Sequence, residues 1–199
     1  QKNLYTDTAY YFITLGANGK RIIANSTSGT PNYISNSYTD LFVYEPANIN
    51  LLNSGKQWVG DVFTNSFGGI TSRNYTINWP GLINTEPIII KNKLITRTIG
   101  ASASFTISSN NQLLQTLTPR SVSGDLLDDY AIATKSYTAF NATTPSPTIT
   151  IQFNSTALGA TGWLQQLLVT GTRNLAFSGN GFLRFRDPKS IGTNRFTQF

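Results

Sequence analysis

The chain has 199 residues, a formal net charge of +6 and a sequence pI near 9.7, with 39% hydrophobic and 12% charged residues and no Cys, His or Met. Without Cys or His it cannot build a Cys–His nucleophile pair, a Ser-His-Asp triad or the usual zinc sites. With 12 Phe among its apolar residues it can offset the entropy of ordering, so disorder is not expected, and residues 1–199 are expected to form one β-rich domain with a substantial core. With no initiator Met and no signal pattern at Gln1, the chain is expected to start inside a longer protein or after a cleaved signal. No apolar run reaches membrane-spanning length. The 15 basic residues are scattered; the positive balance permits contact with acidic surfaces, but nucleic-acid binding is not expected.

In chain order, Tyr10 to Leu15 and Lys20 to Ala24 read as a hairpin closed at Asn18-Gly19, because both residues accept the positive φ that such turns need. A polar loop from Asn25 to Thr39 follows, then a strand over Leu41 to Glu45 stopped by Pro46. Asn53-Ser54-Gly55 is a small-residue turn that leads into a strand carrying Trp58, Gly60, Asp61 and Phe63. Gly60 inside that pattern marks a bulge or a close approach by another backbone, and Trp58 and Phe63 are expected to anchor the core. Tyr75, Ile77 and Trp79 share one face of an alternating strand that ends at Pro80-Gly81.

The run from Ile88 to Ile99 is too long for one flat strand with a single buried face, so a bulge is expected in it. Lys91, Lys93 and Arg97 share one parity there and form a basic stripe of a solvated or edge-protected strand. Phe105 to Ile107 and Gln112 to Gln115 form a second hairpin across Ser108 to Asn111. Asp125, Asp128 and Asp129 are an acidic cluster dense enough to hold Ca²⁺, although the spacing matches no standard loop and fits a solvated turn. Strands are expected over Tyr130 to Thr134 and over Thr148 to Phe153, the latter with Ile149, Ile151 and Phe153 inward. Trp163 to Thr170 follows as a strand or a short helix, and Phe182 to Arg186 closes the set, with Leu183 and Phe185 on one face and Arg184 and Arg186 on the other. Four Asn-X-Ser/Thr triplets, at Asn25, Asn74, Asn141 and Asn154, are expected by chance in a chain so rich in Asn and Thr. Some ten short strands without an amphipathic helix make an all-β fold, an antiparallel, jelly-roll-like β-sandwich.

Two blocks are distinctive. Tyr44-Glu45 leading to Asn53-Ser54-Gly55-Lys56-Gln57-Trp58-Val59-Gly60-Asp61-Val62-Phe63 is one; Gly162-Trp163-Leu164 with Arg173-Asn174-Leu175 and then Phe182 to Arg186 is the other. Together they resemble the segment ahead of the peptidase domain in the PorU family of type IX secretion sortases of Bacteroidetes, relatives of the gingipain cysteine peptidases. The resemblance runs from Tyr11 to Arg186, with departures at Lys56, where Arg is usual, Asp61, where Glu is usual, and Gln165, where Asp is expected. It implies a secreted, outer-membrane-associated, noncatalytic N-terminal fragment whose catalytic Cys and His lie in a downstream domain, and which uses no cofactor.

The partners that the resemblance implies are the chain's own peptidase domain, outer-membrane secretion proteins, cargo sorting domains and anionic lipopolysaccharide. Its family-motif or interaction positions are Ser54, Gly55, Trp58, Gly60, Asp61, Phe63, Arg173, Arg184 and Arg186. The three arginines are expected to grip a carboxylate or phosphate, or to pair with Glu45, Asp61 or Asp187. Asp7-Thr8-Ala9 matches a short O-glycosylation motif used by Bacteroidetes. Two other function classes stay open: a carbohydrate-binding or adhesin module stacking sugars on Trp58, Trp79 or Trp163, and a hydrolase working through Asp125, Asp128 and Asp129.

Overall fold

Alternation sets the core. In Thr148–Ser155, Ile149, Ile151 and Phe153 are buried while Thr150 and Gln152 point away, and Ala103–Ser109 buries Ala103, Phe105, Ile107 and Ser109 by the same period. The computed structural model describes residues 12–13, 15–16, 30–177, 182–192 and 197–198. The hairpin expected between Tyr10 and Ala24 and the Asp7-Thr8-Ala9 triplet lie outside these, except Phe12, Ile13, Leu15 and Gly16, none of which is in a strand. The strands among the described residues are β1 (Tyr33–Ile34), β2 (Ser37–Tyr44), β3 (Ile49–Asn50), β4 (Trp58–Thr64), β5 (Ser72–Thr76), β6 (Ile88–Arg97), β7 (Ala103–Ser109), β8 (Gln112–Leu117), β9 (Ile132–Phe140), β10 (Thr148–Ser155), β11 (Thr161–Asn174) and β12 (Thr197–Gln198).

One sheet has four strands in the order β5-β10-β7-β8; the other has six, β3-β4-β11-β6-β9 with β2 also on β11; β1 and β12 form a short parallel pair. The antiparallel pairs nest, β4 with β11, β5 with β10, β6 with β9 and β7 with β8. The chain is therefore one long hairpin rolled so that successive strands pass between two sheets, which is a jelly roll within a β-sandwich. Its tip is Asn110-Asn111, where φ of 47° and 68° gives the mirror-image turn that matches strand twist. No helix among the described residues is long and apolar enough to cross a membrane.

Between the sheets, the Phe63 and Phe105 rings meet edge-on at 5.7 Å and Phe105 lies 5.0 Å from Phe153. Tyr75, Ile77 and Trp79 are buried together as expected, although β5 ends at Thr76; the backbone N–H of Ile77 and of Trp79 donates to Pro147 and Pro145 beyond the strand.

Several expectations need correction. The long run of β6 contains no bulge: its pairing with β9 is continuous, and the extra residue sits in β11 between Leu164 and Gln166. Both faces are buried at one end of β6, because Leu94 enters the main core while Ile95 joins Val59 and Trp163 in a small cluster under Leu51, Val62 and Ala131. β6 is also an interior strand, so Lys91 and Lys93 do not guard an edge. Trp163 to Thr170 lies in a strand and not a helix, while Phe182 to Arg186 is not a strand, and Phe182 and Phe185 are exposed. Trp58 is 42% exposed and does not anchor the core, whereas Phe63 is fully buried.

Candidate binding face

Six of the family-motif positions, Ser54, Gly55, Trp58, Gly60, Asp61 and Phe63, occupy one hairpin and its strand; Arg173 is on β11, and Arg184 and Arg186 lie outside any strand. Asn53 (φ 51°) and Gly55 (φ 73°) form the turn between β3 and β4, with Ser54 exposed at its tip, and the Trp58 indole N–H donates back to the Gly55 carbonyl at 3.1 Å. β4 pairs with β11 as Phe63↔Gly162, Trp163↔Val62 and Leu164↔Gly60, leaving Asp61 as an extra residue with φ 33°. Gly60 to Phe63 of the first block and Gly162 to Leu164 of the second are therefore hydrogen-bonded neighbours. Gly60 is required by close approach: a Cβ there would lie 2.3 Å from the Pro46 Cβ.

The bulge turns the Asp61 carboxylate toward the opposite sheet. It accepts from the Tyr75 hydroxyl at 2.8 Å and lies 3.8 Å from the Arg73 guanidinium, which also donates to the Val62 carbonyl at 3.3 Å. Burial, and then the hydrogen bond to Asp61, push the Tyr75 hydroxyl well above the ordinary tyrosine range. Asp61→Ala would strip partners from Arg73 and Tyr75, so a loss of about 1–3 kcal/mol is expected in chemical denaturation. Asp61→Asn, which keeps an acceptor for Tyr75, should cost less.

Arg173 is likewise a clamp. Its guanidinium pairs with Asp40 at 2.5 Å, donates twice to the Pro80 carbonyl at 3.0 and 2.9 Å, and lies over the Tyr38 ring at 5.6 Å. The partner is Asp40, reached through β11–β2 pairing, and not Glu45, Asp61 or Asp187. Arg184 and Arg186 are exposed and form no ion pair among the described residues. Asp187 instead accepts from Ser35 at 2.6 Å, Tyr33 at 2.9 Å and the Lys189 N–H at 2.9 Å. Burial opposes its charge, but those hydrogen bonds outweigh burial and hold its carboxyl below the usual range.

The acidic turn is internally satisfied. Arg120 pairs with Asp128 at 3.3 Å and Asp129 at 2.6 Å, and Asp128 accepts from the Ser123 N–H at 2.6 Å, so its carboxyl is held well below the usual range. Asp125 is exposed, and no group of three or more acidic side chains among the described residues is placed to hold a metal ion.

Besides Arg184 and Arg186, a set of unpaired charges lies on the outer face of the six-stranded sheet. Lys93 of β6 sits directly opposite Lys135 of β9, and Lys91 directly opposite Tyr137 with its Nζ 6.0 Å from the ring. Like charges facing each other across an antiparallel pair destabilise a sheet, and none of these lysines has an ion-pair partner among the described residues. Lys93, Lys135, Trp58, Glu45 and Gln166 line a groove of about 560 Å³, which continues into a second of about 400 Å³ bordered by Lys91, Tyr137 and Leu168. Gln166 donates to Glu45, the one carboxylate lining either groove. Gln165, on the bulge of β11, has a buried side-chain oxygen without a partner.

The opposite face of the sandwich contrasts with this. β7, β8 and β10 carry no charged residue, and the outward polar groups satisfy one another: Thr76 with Thr148 at 3.0 Å, Thr150 with Asn74 at 2.8 Å and Gln152 with Asn154 at 3.1 Å. The sequence shows Lys91 and Lys93 as a stripe, but Lys135, Tyr137 and Trp58 join it only through strand register. Trp79 and Trp163 are 4% and 8% exposed and are not available for stacking.

No protein-family profile matches the chain, and comparison with the curated proteins finds no match. Among solved structures, the crystal structure of dimeric latent PorU from Porphyromonas gingivalis matches with a TM-score of 0.60 over 76% of this chain at 14% identity, and the chain spans 14% of the length of that protein. The insecticidal delta-endotoxin Cry8Ea1 from Bacillus thuringiensis matches with a TM-score of 0.36 over 52% of this chain and 20% of its own, at 10% identity. The likeness to PorU is one of fold; that to the toxin is too slight to bear on function.

Proposed function

We propose that the chain is a noncatalytic β-sandwich domain of a type IX secretion sortase, where it supports or orients a cysteine peptidase domain supplied by the rest of the protein. The observation that carries this reading is the fold similarity to PorU over 76% of the chain. Two further facts support it: the absence of Cys and His agrees with catalysis residing elsewhere, and Gly60 to Phe63 of the first resembling block pairs with Gly162 to Leu164 of the second. The peptidase activity on C-terminal sorting signals, attachment of cargo to the cell surface, surface location, and contacts with secretion proteins or anionic lipopolysaccharide belong to the proposal.

Purified residues 1–199 are expected to leave a sorting-signal peptide uncut, while the full protein cleaves it and loses activity when this domain is deleted. Cleavage by the isolated chain, or full activity without it, would sink the reading. In the parent gene, a Gly-His pair followed by a Cys should lie beyond the codon for Phe199.

A second reading, a carbohydrate-binding or adhesin module, is favoured by one observation: the Trp58 ring is 42% exposed beside a groove with lysine, carboxylate and amide groups.

A further inference from the structure

We infer that the paired grooves on the outer face of the six-stranded sheet bind an acidic saccharide, with Lys93, Lys135 and Lys91 holding its carboxylates and Trp58 and Tyr137 flanking its rings. The inference rests on the carbohydrate-binding reading and narrows it to a site and a ligand charge.

Three lysines meet one carboxylate, Glu45, which is already engaged by Gln166. Lys93 and Lys135 are directly opposite in register, and Lys91 is two residues along β6 on the same face. Side chains so placed repel one another when the groove is empty and converge on an anion when it is filled. Elsewhere two partly buried arginines are paired, Arg173 with Asp40 and Arg73 with Asp61, and so is the exposed Arg120, with Asp128; of the three lysines Lys93 is partly buried and Lys91 and Lys135 are exposed. The lysine cluster departs from that pattern.

β6 lies between β11 and β9, so its backbone is committed to both neighbours and offers no free edge to an extended peptide. Along the β6 floor of the groove recognition therefore runs through side chains; β9, the last strand of the sheet, keeps its free edge on the side away from β6. Trp58 (42% exposed) and Tyr137 (58% exposed) border the two ends, as flat surfaces suited to the apolar face of a sugar ring. Glu45 and Gln166 lie between them and offer hydrogen bonds to hydroxyls. An acidic peptide would use the lysines and leave the aromatic borders without a matching group.

The test uses the 199-residue chain and four probes: oligogalacturonate, its methyl ester with the same rings and no charge, poly-glutamate, and phosphatidylserine vesicles. Binding is read by calorimetry and by fluorescence, in which Trp58 is the reporting indole because Trp79 and Trp163 are buried. Oligogalacturonate should bind and shift the emission, weakening as salt rises, while the ester binds at least about tenfold more weakly, the difference expected from losing charge-assisted contacts. Lys135→Gln and Trp58→Ala should each weaken binding by about tenfold or more. Lys135→Gln should melt no lower than the parent chain, because it removes a like-charge pair; a loss of binding in that variant cannot then be assigned to unfolding.

Equal binding of acid and ester would overturn the charge assignment and leave the carbohydrate reading standing. Binding of poly-glutamate or vesicles in preference to both sugars would overturn both. Binding unchanged by Lys135→Gln and Trp58→Ala would overturn the site.

Discussion

Phe105→Ala is expected to destabilise the domain by about 3–5 kcal/mol, the range for removing a fully buried aromatic ring. Phe105 has 0% exposure and stands at the centre of the sandwich, with its ring edge-on to Phe63 of β4 and tilted against Phe153 of β10. The contact with Phe63 joins the two sheets, while that with Phe153 links neighbouring strands of one sheet, and so the loss is not local to one of them. The cavity has little means of closing, because β7 is held by β10 on one side and β8 on the other, and tightly packed interiors relax only in part. Urea denaturation should show the midpoint falling with an unchanged slope. A loss under about 1 kcal/mol would mean that the sheets collapse onto the gap and that the aromatic cluster is not the link between them.

That core was legible because it rests on local alternation. Ile149, Ile151 and Phe153, and likewise Tyr75, Ile77 and Trp79, are spaced two apart, and each set turns one way whatever the neighbouring strands do. The binding face was legible only in part. Lys91 and Lys93 show their common face in the sequence, but Lys135 is brought opposite Lys93 by antiparallel register across a connection that passes through the other sheet. No spacing rule within one strand reports such a neighbour.

Trp58 shows a second way in which local patterning falls short. Its surroundings read as a core strand, yet the β4–β11 pairing ends at Gly60↔Leu164, and Trp58 pairs only with Asn50 of β3. It therefore lies past the part of the sheet that the sandwich covers. Similarly, Asp61 is an ordinary strand residue by sequence, and only its positive φ, 33°, turns its carboxylate to Tyr75 and Arg73. The Arg173 partner was unreadable for the same reason as Lys135: Asp40 belongs to β2, which takes up the edge of β11 where β4 leaves it.

Gly162→Ala tests how tightly the second resembling block packs against the aromatic core. A Cβ at this position would lie 2.5 Å from Cζ and 3.0 Å from Cε1 of Phe105, and 3.1 Å from Cδ2 of Phe153. The strand cannot retreat easily, since Gly162 is paired with Phe63 on one side and Thr96 on the other. The rings cannot retreat either, as both are essentially buried. A single added methyl group should therefore cost about 3 kcal/mol, the upper end of the range for overpacking. Because the methyl group and the Phe105 ring compete for one volume, the two substitutions must couple. Gly162→Ala combined with Phe105→Ala should cost at least about 1 kcal/mol less than the sum of the single losses. An additive double variant would show that strain at Gly162 arises in the backbone of β11 and not in the contact with Phe105, and the glycine of the second block would then be required by strand geometry alone.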